Sequence, residues 1–262
     1  MARETLVVER RGTKGEVAVW TVSRPEAKNA LDSATFAALA RALDDAGSDA
    51  TLRAVVLTGA GDTFVSGGDL RELRTATTSE QAAQLADAGR QVCDAIARLP
   101  VPVIAALPGA AIGGGAELAT ACDLRIADTR ATVCFKHARM AVTTAWGILP
   151  KLVGMVGHGA ASRLLLTAEE IGAREALGLG LVDAVTEDGG CVELAVAWGL
   201  EVAKAAPLAA AALKALLQEA LDPSADVRAA ERARFIAAWT SADHADAVEA
   251  FFESRTPKWA GR

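Results

Sequence analysis

The sequence contains no tyrosine, and all aromatic residues together make up 4% of the chain. Because proteins that bind single-stranded nucleic acids commonly stack bases on aromatic side chains, this scarcity disfavours such a surface. Lys and Arg number 27 against 33 Asp and Glu, which gives a net charge of -6, and no long basic run occurs. These absences argue against a role on nucleic acids or on an anionic membrane.

The cysteines also lack a pattern that would indicate a disulfide framework or a metal site. Cys93, Cys122, Cys134 and Cys191 form no CxxC pair and lie among apolar neighbours, so we expect buried, reduced thiols and no metal. Residues 1–11 contain no apolar signal-peptide core, and we expect a cytoplasmic protein. Residues 99–116 are uncharged, but prolines and glycines interrupt them, which favours strand, turn and helix start over a membrane span.

The 262 residues are enough for one large domain, and strands alternate with helices along the first two thirds. We expect a hairpin of strands 6–9 and 17–22, and after it strands at 54–57, 103–107, 124–127 and 132–135. Helices are expected at 33–46, 79–98 and 116–122. From about residue 159 the chain reads as nearly all helix, apart from a strand at 182–185, and its last helix is expected at 243–253. This order predicts an α/β fold with a core at 1–195 and a helical region at 196–262.

Two glycine-rich segments stand out, each between a strand and a helix: Phe-Val-Ser-Gly-Gly-Asp-Leu at 64–70 and Pro-Gly-Ala-Ala-Ile-Gly-Gly-Gly-Ala-Glu-Leu at 108–118. Glycine allows close approach of the backbone to a ligand, and a helix N-terminus offers free N–H groups. Such groups suit the negative charge that develops on a reacting thioester oxygen. Tight packing of strand on helix would also explain the glycines. The dinucleotide-binding GxGxxG pattern is not met, because Gly109 and Gly113 are four residues apart.

Together, these segments resemble those of the crotonase (enoyl-CoA hydratase/isomerase) superfamily. Four further stretches, at 24–31, 121–127, 177–183 and 251–258, are similar to family segments in the same order, so the resemblance covers nearly the whole chain. It implies a spiral of ββα units with a helical C-terminal trimerisation region, assembled as a homotrimer or a dimer of trimers. It also implies an acyl-CoA thioester as the substrate, which carries its own coenzyme A, so that no separate cofactor is expected.

The resemblance assigns roles to individual residues. Gly68 and Gly114 would donate the two N–H groups of an oxyanion hole. The candidates for the coenzyme A site are Lys28, Ala30, Ser66, Asp69 and Leu70, and a neighbouring subunit would add Phe251 and Lys258.

Glu117, three residues after Gly114, matches one of the two catalytic carboxylates of the hydratases. It could act as a general acid or base, or it could only satisfy free N–H groups at the helix start. The second carboxylate is expected within 135–140, where hydratases have Glu at the position of Arg139. A cation there argues against hydration by two carboxylates.

Residues 137–140 and 145–147 resemble ethylmalonyl-CoA decarboxylase-like members more closely. This implies an alternative function, a 2-carboxyacyl-CoA decarboxylase or another lyase, and a non-catalytic CoA-binding homologue is a third possibility. His137, Arg139 and Trp146 then become candidate substrate-binding residues. Their simpler interpretations are a packed or solvent-facing histidine, a surface or ion-paired arginine, and a tryptophan in the pocket wall.

Overall fold

A computed structural model describes residues 4–261. The strands in this range are β1 (Leu6–Arg11), β2 (Val17–Val22), β3 (Ala54–Gly59), β4 (Thr63–Val65), β5 (Val103–Leu107), β6 (Ala110–Ile112), β7 (Leu124–Asp128), β8 (Thr132–Cys134), β9 (Ile171–Gly172) and β10 (Ala184–Thr186). The helices are α1 (Ser33–Ser48), α2 (Leu70–Leu73), α3 (Ser79–Arg98), α4 (Gly114–Ala121), α5 (Leu149–Thr167), α6 (Ala173–Gly178), α7 (Cys191–Val202), α8 (Pro207–Glu219), α9 (Val227–Trp239) and α10 (Ala242–Phe252). Short 3-10 turns lie at Pro25–Ala27 and Lys136–Met140.

The larger sheet has six strands in the order β1-β2-β3-β5-β7-β10. The β1–β2 pair is antiparallel, and every other pair is parallel. Successive side chains of a strand point to opposite faces, so the fully buried strands β3 and β5 contribute side chains to two cores. Val55 and Leu57 face the main core, whereas Ala54 and Val56 face a second core that α7 covers.

The smaller sheet has four strands in the order β4-β6-β8-β9, with β4, β6 and β8 parallel. The two glycine-rich turns follow β4 and β6 directly. Because neighbouring parallel strands end at the same edge of a sheet, the two turns are brought side by side. This short sheet therefore positions the candidate site.

The α/β class and most of the expected elements are confirmed, including the helix at 79–98 and the strand at 103–107. Three strands of two or three residues, β4, β6 and β9, lie in stretches for which no strand was expected. Helix α5 begins at Leu149, ten residues earlier than expected, and Gly157 interrupts it with φ 76°. The expected division at 195/196 falls inside α7, which packs as one unit on the larger sheet.

The cysteines and the uncharged stretch at 99–116 are placed as expected. All four thiols are buried and free, and burial raises the pKa of Cys122 and Cys191 to about 12. Residues 99–116 comprise β5, β6 and the start of α4. Of the helices within 4–261, none has both the length and the apolar character that crossing a bilayer requires.

Candidate active site

The two glycine-rich turns pack directly on each other. A methyl group on Gly115 would lie 1.8 Å from the carbonyl oxygen of Val65, so only glycine allows this approach. Gly67 adopts φ 104°, and a methyl group there would lie 3.4 Å from the backbone nitrogen of Gly114. The turn after β4 and the start of α4 therefore form one continuous surface of backbone.

The amide of Gly68 points away from Leu31, the residue that pairs with its turn. Leu31 donates to the carbonyl of Gly67 at 2.8 Å and accepts from the amide of Asp69 at 2.9 Å. In a parallel bridge of this kind, the residue between the two bonded neighbours directs its own N–H to the opposite side. Gly114 is the first residue of α4, where backbone N–H groups have no partner within the helix. Among residues 4–261, neither amide has a hydrogen-bond acceptor.

Glu117 lies on the first turn of α4 and is 2% exposed. Its Oε1 accepts hydrogen bonds from the backbone amides of Ala145 and Trp146, at 3.2 and 3.1 Å. Its Oε2 lies 3.0 Å from Nε2 of His137. These three contacts and the positive end of the α4 dipole keep a carboxylate in an otherwise apolar place.

His137 is the side chain that faces Glu117. Opposite an ionised carboxylate, its Nε2 carries the hydrogen and donates it. The imidazole is 12% exposed, and its Nδ1 is buried without a hydrogen-bond partner in the described part of the chain. An orphaned buried nitrogen of this kind is uncommon in proteins.

Arg139, at which we expected the second catalytic position, does not bond to Glu117. Its side chain is exposed, and its Nε donates to the carbonyl of Thr167 at 3.2 Å. Arg139 and His137 both belong to the 3-10 turn Lys136–Met140, in which side chains two residues apart point in different directions. The position facing Glu117 is therefore occupied by the imidazole of His137.

Trp146 forms an apolar wall beside the start of α4. Its indole is 8% exposed and contacts Gly114 on one side and Gly89 of α3 on the other. Phe36 of α1 meets it edge to face, with ring centroids 5.7 Å apart. Sequence reasoning gave Trp146 as a candidate but missed Gly89 and Phe36, which come from distant segments and show no local motif.

The candidate residues of the coenzyme A site lie together beside the Gly68 turn. The amide of Ser66 donates to the carbonyl of Lys28 at 3.2 Å, and Lys28 and Leu70 are exposed. Ala30 and Asp69 are buried on either side of the bridge between Leu31 and Gly68. The structure thus brings these five candidates to one end of the site.

Two residues that the sequence did not single out hold this end together. Arg24 donates to the carbonyl of Ala30 at 2.5 Å and pairs with Asp69 at 2.8 Å and Asp32 at 3.0 Å. The hydrogen bond from Arg24 lowers the pKa of the Asp69 carboxyl, and the amide of Arg71 lowers it further. The side chain of Asn29 donates to the carbonyls of Ala60 and Thr63. These bonds fasten the Gly68 turn to the segment at 24–32.

Phe251 and Lys258 lie in the C-terminal part of the chain. Phe251 is 81% exposed on α10, which packs against α9, and the backbone amide of Lys258 donates to Asp246 at 2.6 Å. Their expected contribution to a neighbouring subunit stays a prediction, as does the trimer.

Comparisons with known proteins agree with this architecture. A sequence model of the family described as Enoyl-CoA hydratase/isomerase matches residues 12–262. The chain belongs to the enoyl-CoA hydratase/isomerase family. It is 35% identical over 244 residues to the short-chain-enoyl-CoA hydratase of Clostridium acetobutylicum, an alignment that covers 92% of this chain and 93% of the relative.

Two further matches support membership of the hydratase/isomerase family. The (E)-benzylidenesuccinyl-CoA hydratase of Thauera aromatica is 37% identical over 199 residues, which cover 76% of this chain and 77% of the relative. The crystal structure of an enoyl-CoA hydratase from Bacillus anthracis superposes with a TM-score of 0.92 at 30% identity, covering 99% of this chain and 100% of that one. The resemblance to the crotonase superfamily is confirmed, and the protein is an enzyme of this family.

Proposed function

We propose that the protein adds water reversibly to the C2=C3 bond of a 2-enoyl-CoA thioester. The observation that carries this proposal is the buried Glu117 carboxylate, one helical turn after the free amide of Gly114. A proton-transfer group and a donor for a developing oxyanion thus belong to the same helix end. The hydratases among the relatives support the same reaction type.

The amides of Gly68 and Gly114 hold the thioester oxygen. When the oxygen of water bonds to C3, the electron pair of the double bond moves towards the thioester and leaves negative charge on that oxygen. A fixed N–H donor aimed at such a charge contributes about 3 kcal/mol to transition-state stabilisation. Because both donors belong to the backbone, no rotamer has to be ordered when the substrate binds.

Glu117 moves the proton. Its carboxylate removes a proton from water as the oxygen attacks C3, and the resulting carboxylic acid returns that proton to C2 of the enolate. The same proton is taken and given back, so one carboxylate completes the addition of one water. His137 acts as a positioning residue, since its Nε2 hydrogen bond and the two backbone amides fix the orientation of Glu117.

The test is hydration of crotonyl-CoA, followed as loss of the absorbance of the conjugated thioester. We expect Glu117→Gln to lower kcat by about 10²-fold or more, because general acid–base catalysis typically contributes 10²–10⁴. Glu193→Gln is the matched control, since Glu193 also lies on the first turn of a helix but is exposed. Undiminished hydration by Glu117→Gln would overturn the role of Glu117.

His137 is tested by a conservative pair of substitutions. His137→Gln keeps a side-chain N–H donor for Glu117, whereas His137→Leu removes it. We expect the leucine variant to lose more kcat than the glutamine variant, with KM nearly unchanged in both. Equal losses in kcat would show that the imidazole does not act through its hydrogen bond to Glu117.

His137, and not a second glutamate, lies opposite Glu117. This favours a second candidate function, decarboxylation of a 2-carboxyacyl-CoA. Here the bond from C2 to the carboxyl carbon breaks and CO₂ leaves. The electron pair of that bond forms a thioester enolate, this time without a 3-hydroxyl group, and C2 then takes a proton from water. A histidine donor, unlike a second glutamate, does not repel a substrate carboxylate. Turnover of methylmalonyl- or ethylmalonyl-CoA with release of CO₂, and none of crotonyl-CoA, would select this reaction. Coenzyme A binding without any turnover would instead indicate a non-catalytic homologue.

A further inference from the structure

The indole of Trp146 fills the space next to the proposed thioester position. A methyl group on Gly114 would lie 2.4 Å from the outer edge of the indole, so the ring touches the residue that would hold the thioester oxygen. The opposite contact is with Gly89, where a methyl group would lie 2.0 Å from the ring. The acyl chain begins one bond from the thioester oxygen. It therefore meets this ring almost at once.

A cavity of about 350 Å³ is also lined by Trp146. The rest of its lining comes from α3, the end of α4, residues 147–151, and the end of α8 with the residues that follow it, 218–223. The apolar part of the wall includes Cys93, Ala97, Ala121, Ile148, Pro150 and Leu221. Four polar side chains, those of Asp94, Lys151, Gln218 and Asp222, also line it. The reaction described above makes no use of this space.

We propose that Trp146 sets the acyl-length limit of the enzyme: the indole restricts the substrate to short acyl groups by separating the thioester position from this cavity. The inference rests on the proposed function, because the thioester oxygen is placed at Gly114. The wall is firm, since glycines contact the ring at both ends and Phe36 packs against it edge to face. The backbone amide of Trp146 separately holds Glu117, so a change of side chain leaves that bond in place.

The experiment measures the Kd values of saturated acyl-CoAs, from butyryl- to decanoyl-CoA, by calorimetry. In the unaltered protein, affinity should stop rising or should fall beyond a few carbons. In Trp146→Ala and Trp146→Leu, the affinity for decanoyl-CoA relative to butyryl-CoA should rise at least about tenfold, because even one methylene that fits an apolar pocket can change selectivity by that factor. Trp198→Leu is the matched control, since Trp198 is partly buried and packs against the second core, away from the proposed site.

An unchanged ratio in folded Trp146 variants would overturn the inference, and so would affinity that rises steadily with chain length in the unaltered protein. Thermal melting establishes that the variants are folded. Should the smaller side chains prevent folding, Trp146→Phe must move the ratio in the same direction by a smaller factor. Binding and turnover separate the two proposals: if the saturated acyl-CoAs bind with the expected length limit but the 2-enoyl-CoAs of the same lengths are not hydrated, the proposed function is contradicted and the length limit stands.

Discussion

The two turns that would hold the thioester oxygen are stabilised by different forces. The Gly68 turn is fastened by polar contacts, in which Arg24 joins Asp69, Asp32 and the carbonyl of Ala30. The Gly114 turn is the end of a helix walled by the apolar indole of Trp146. Ion pairs respond to pH and to loss of charge, whereas close packing responds to volume. The same proposed task, donation of one N–H, therefore depends on two kinds of residue.

The largest expected effect on stability comes from a substitution where the two turns touch. Gly115→Ala places a methyl group 1.8 Å from the carbonyl oxygen of Val65, and backbone on both sides must move. We expect a loss of about 3 kcal/mol or more in the free energy of unfolding, at the upper end of overpacking costs. Urea denaturation measures this loss, and the crotonyl-CoA assay should show loss of activity.

Gly159→Ala is the control for this substitution. Gly159 lies in α5, and a methyl group there meets nothing within 4 Å. Alanine should be neutral or stabilise the helix by about 0.5–1 kcal/mol. If Gly115→Ala were as well tolerated, the two turns would not be in the close contact described here.

The next prediction compares one glycine from each turn. Gly114→Ala pushes a methyl group to 2.4 Å from the buried indole, which cannot retreat, and should cost about 2–3 kcal/mol. Gly68→Ala meets only the flexible end of Leu73, at 3.3 Å, and should cost clearly less. A displaced Gly114 amide should also lower kcat/KM by about 10²-fold, as small misplacements of catalytic groups do. Equal costs in stability and activity would contradict the distinction between the turns.

Much of this arrangement could be predicted from the sequence, because it is local. The helix at 79–98 has an amphipathic period, and the glycine run that opens α4 is followed three residues later by Glu117. Strands β4 and β6 were missed because three residues are too few to show a period. The sequence predicted Arg139 at the second catalytic position, whereas in the structure His137 faces Glu117. Residue counting does not resolve side-chain directions within a 3-10 turn.

The walls of the site could not be predicted for a different reason. Phe36, Gly89 and Trp146 come from three separate segments, and their contacts depend on how α1, α3 and α4 pack. Arg24 likewise bonds to Asp69, which lies 45 residues away in the chain. No local period or motif records contacts of such sequence separation.

The ion pairs that fasten the Gly68 turn predict a pH-dependent effect on the free energy of unfolding. Arg24→Gln removes the partner that lowers the pKa of Asp69, and at pH 7 it should cost about 2 kcal/mol, as expected for a charged hydrogen bond. A carboxyl whose pKa is lower in the folded state stabilises the fold above its ordinary pKa of about 4, and this contribution is lost as the pH falls through the folded value. The difference between the two proteins should therefore shrink in acid, which urea denaturation at pH 7 and pH 3 would detect.

Arg163→Gln is the matched control for Arg24. Arg163 also pairs with two carboxylates, those of Glu169 and Glu175, but its side chain is 42% exposed. Solvent screens exposed ion pairs strongly, so this change should be small at both pH values. A loss for Arg24→Gln that matched the control, or that did not vary with pH, would show that the ion pairs do not fasten the Gly68 turn.

The smallest expected effect is a coupling between Gly89 and Trp146 on the apolar side. Gly89→Ala should destabilise the protein, because its methyl group would lie 2.0 Å from the indole. In Trp146→Leu the same methyl group would fill part of the vacated space, and alanine favours the helix by up to about 1 kcal/mol over glycine. The two substitutions should therefore be less harmful together than their separate costs imply, by about 1 kcal/mol, the coupling typical of residues in contact.

A double-mutant cycle of urea denaturation measures this coupling. Gly89→Ala combined with Trp198→Leu is the control, because Trp198 packs in the second core and the two costs should add. Strict additivity in the Gly89–Trp146 cycle would mean that the indole moves aside without cost. It would then be a mobile side chain rather than a wall, and an acyl chain could push past it, so the same result would weaken the case for a length limit at Trp146.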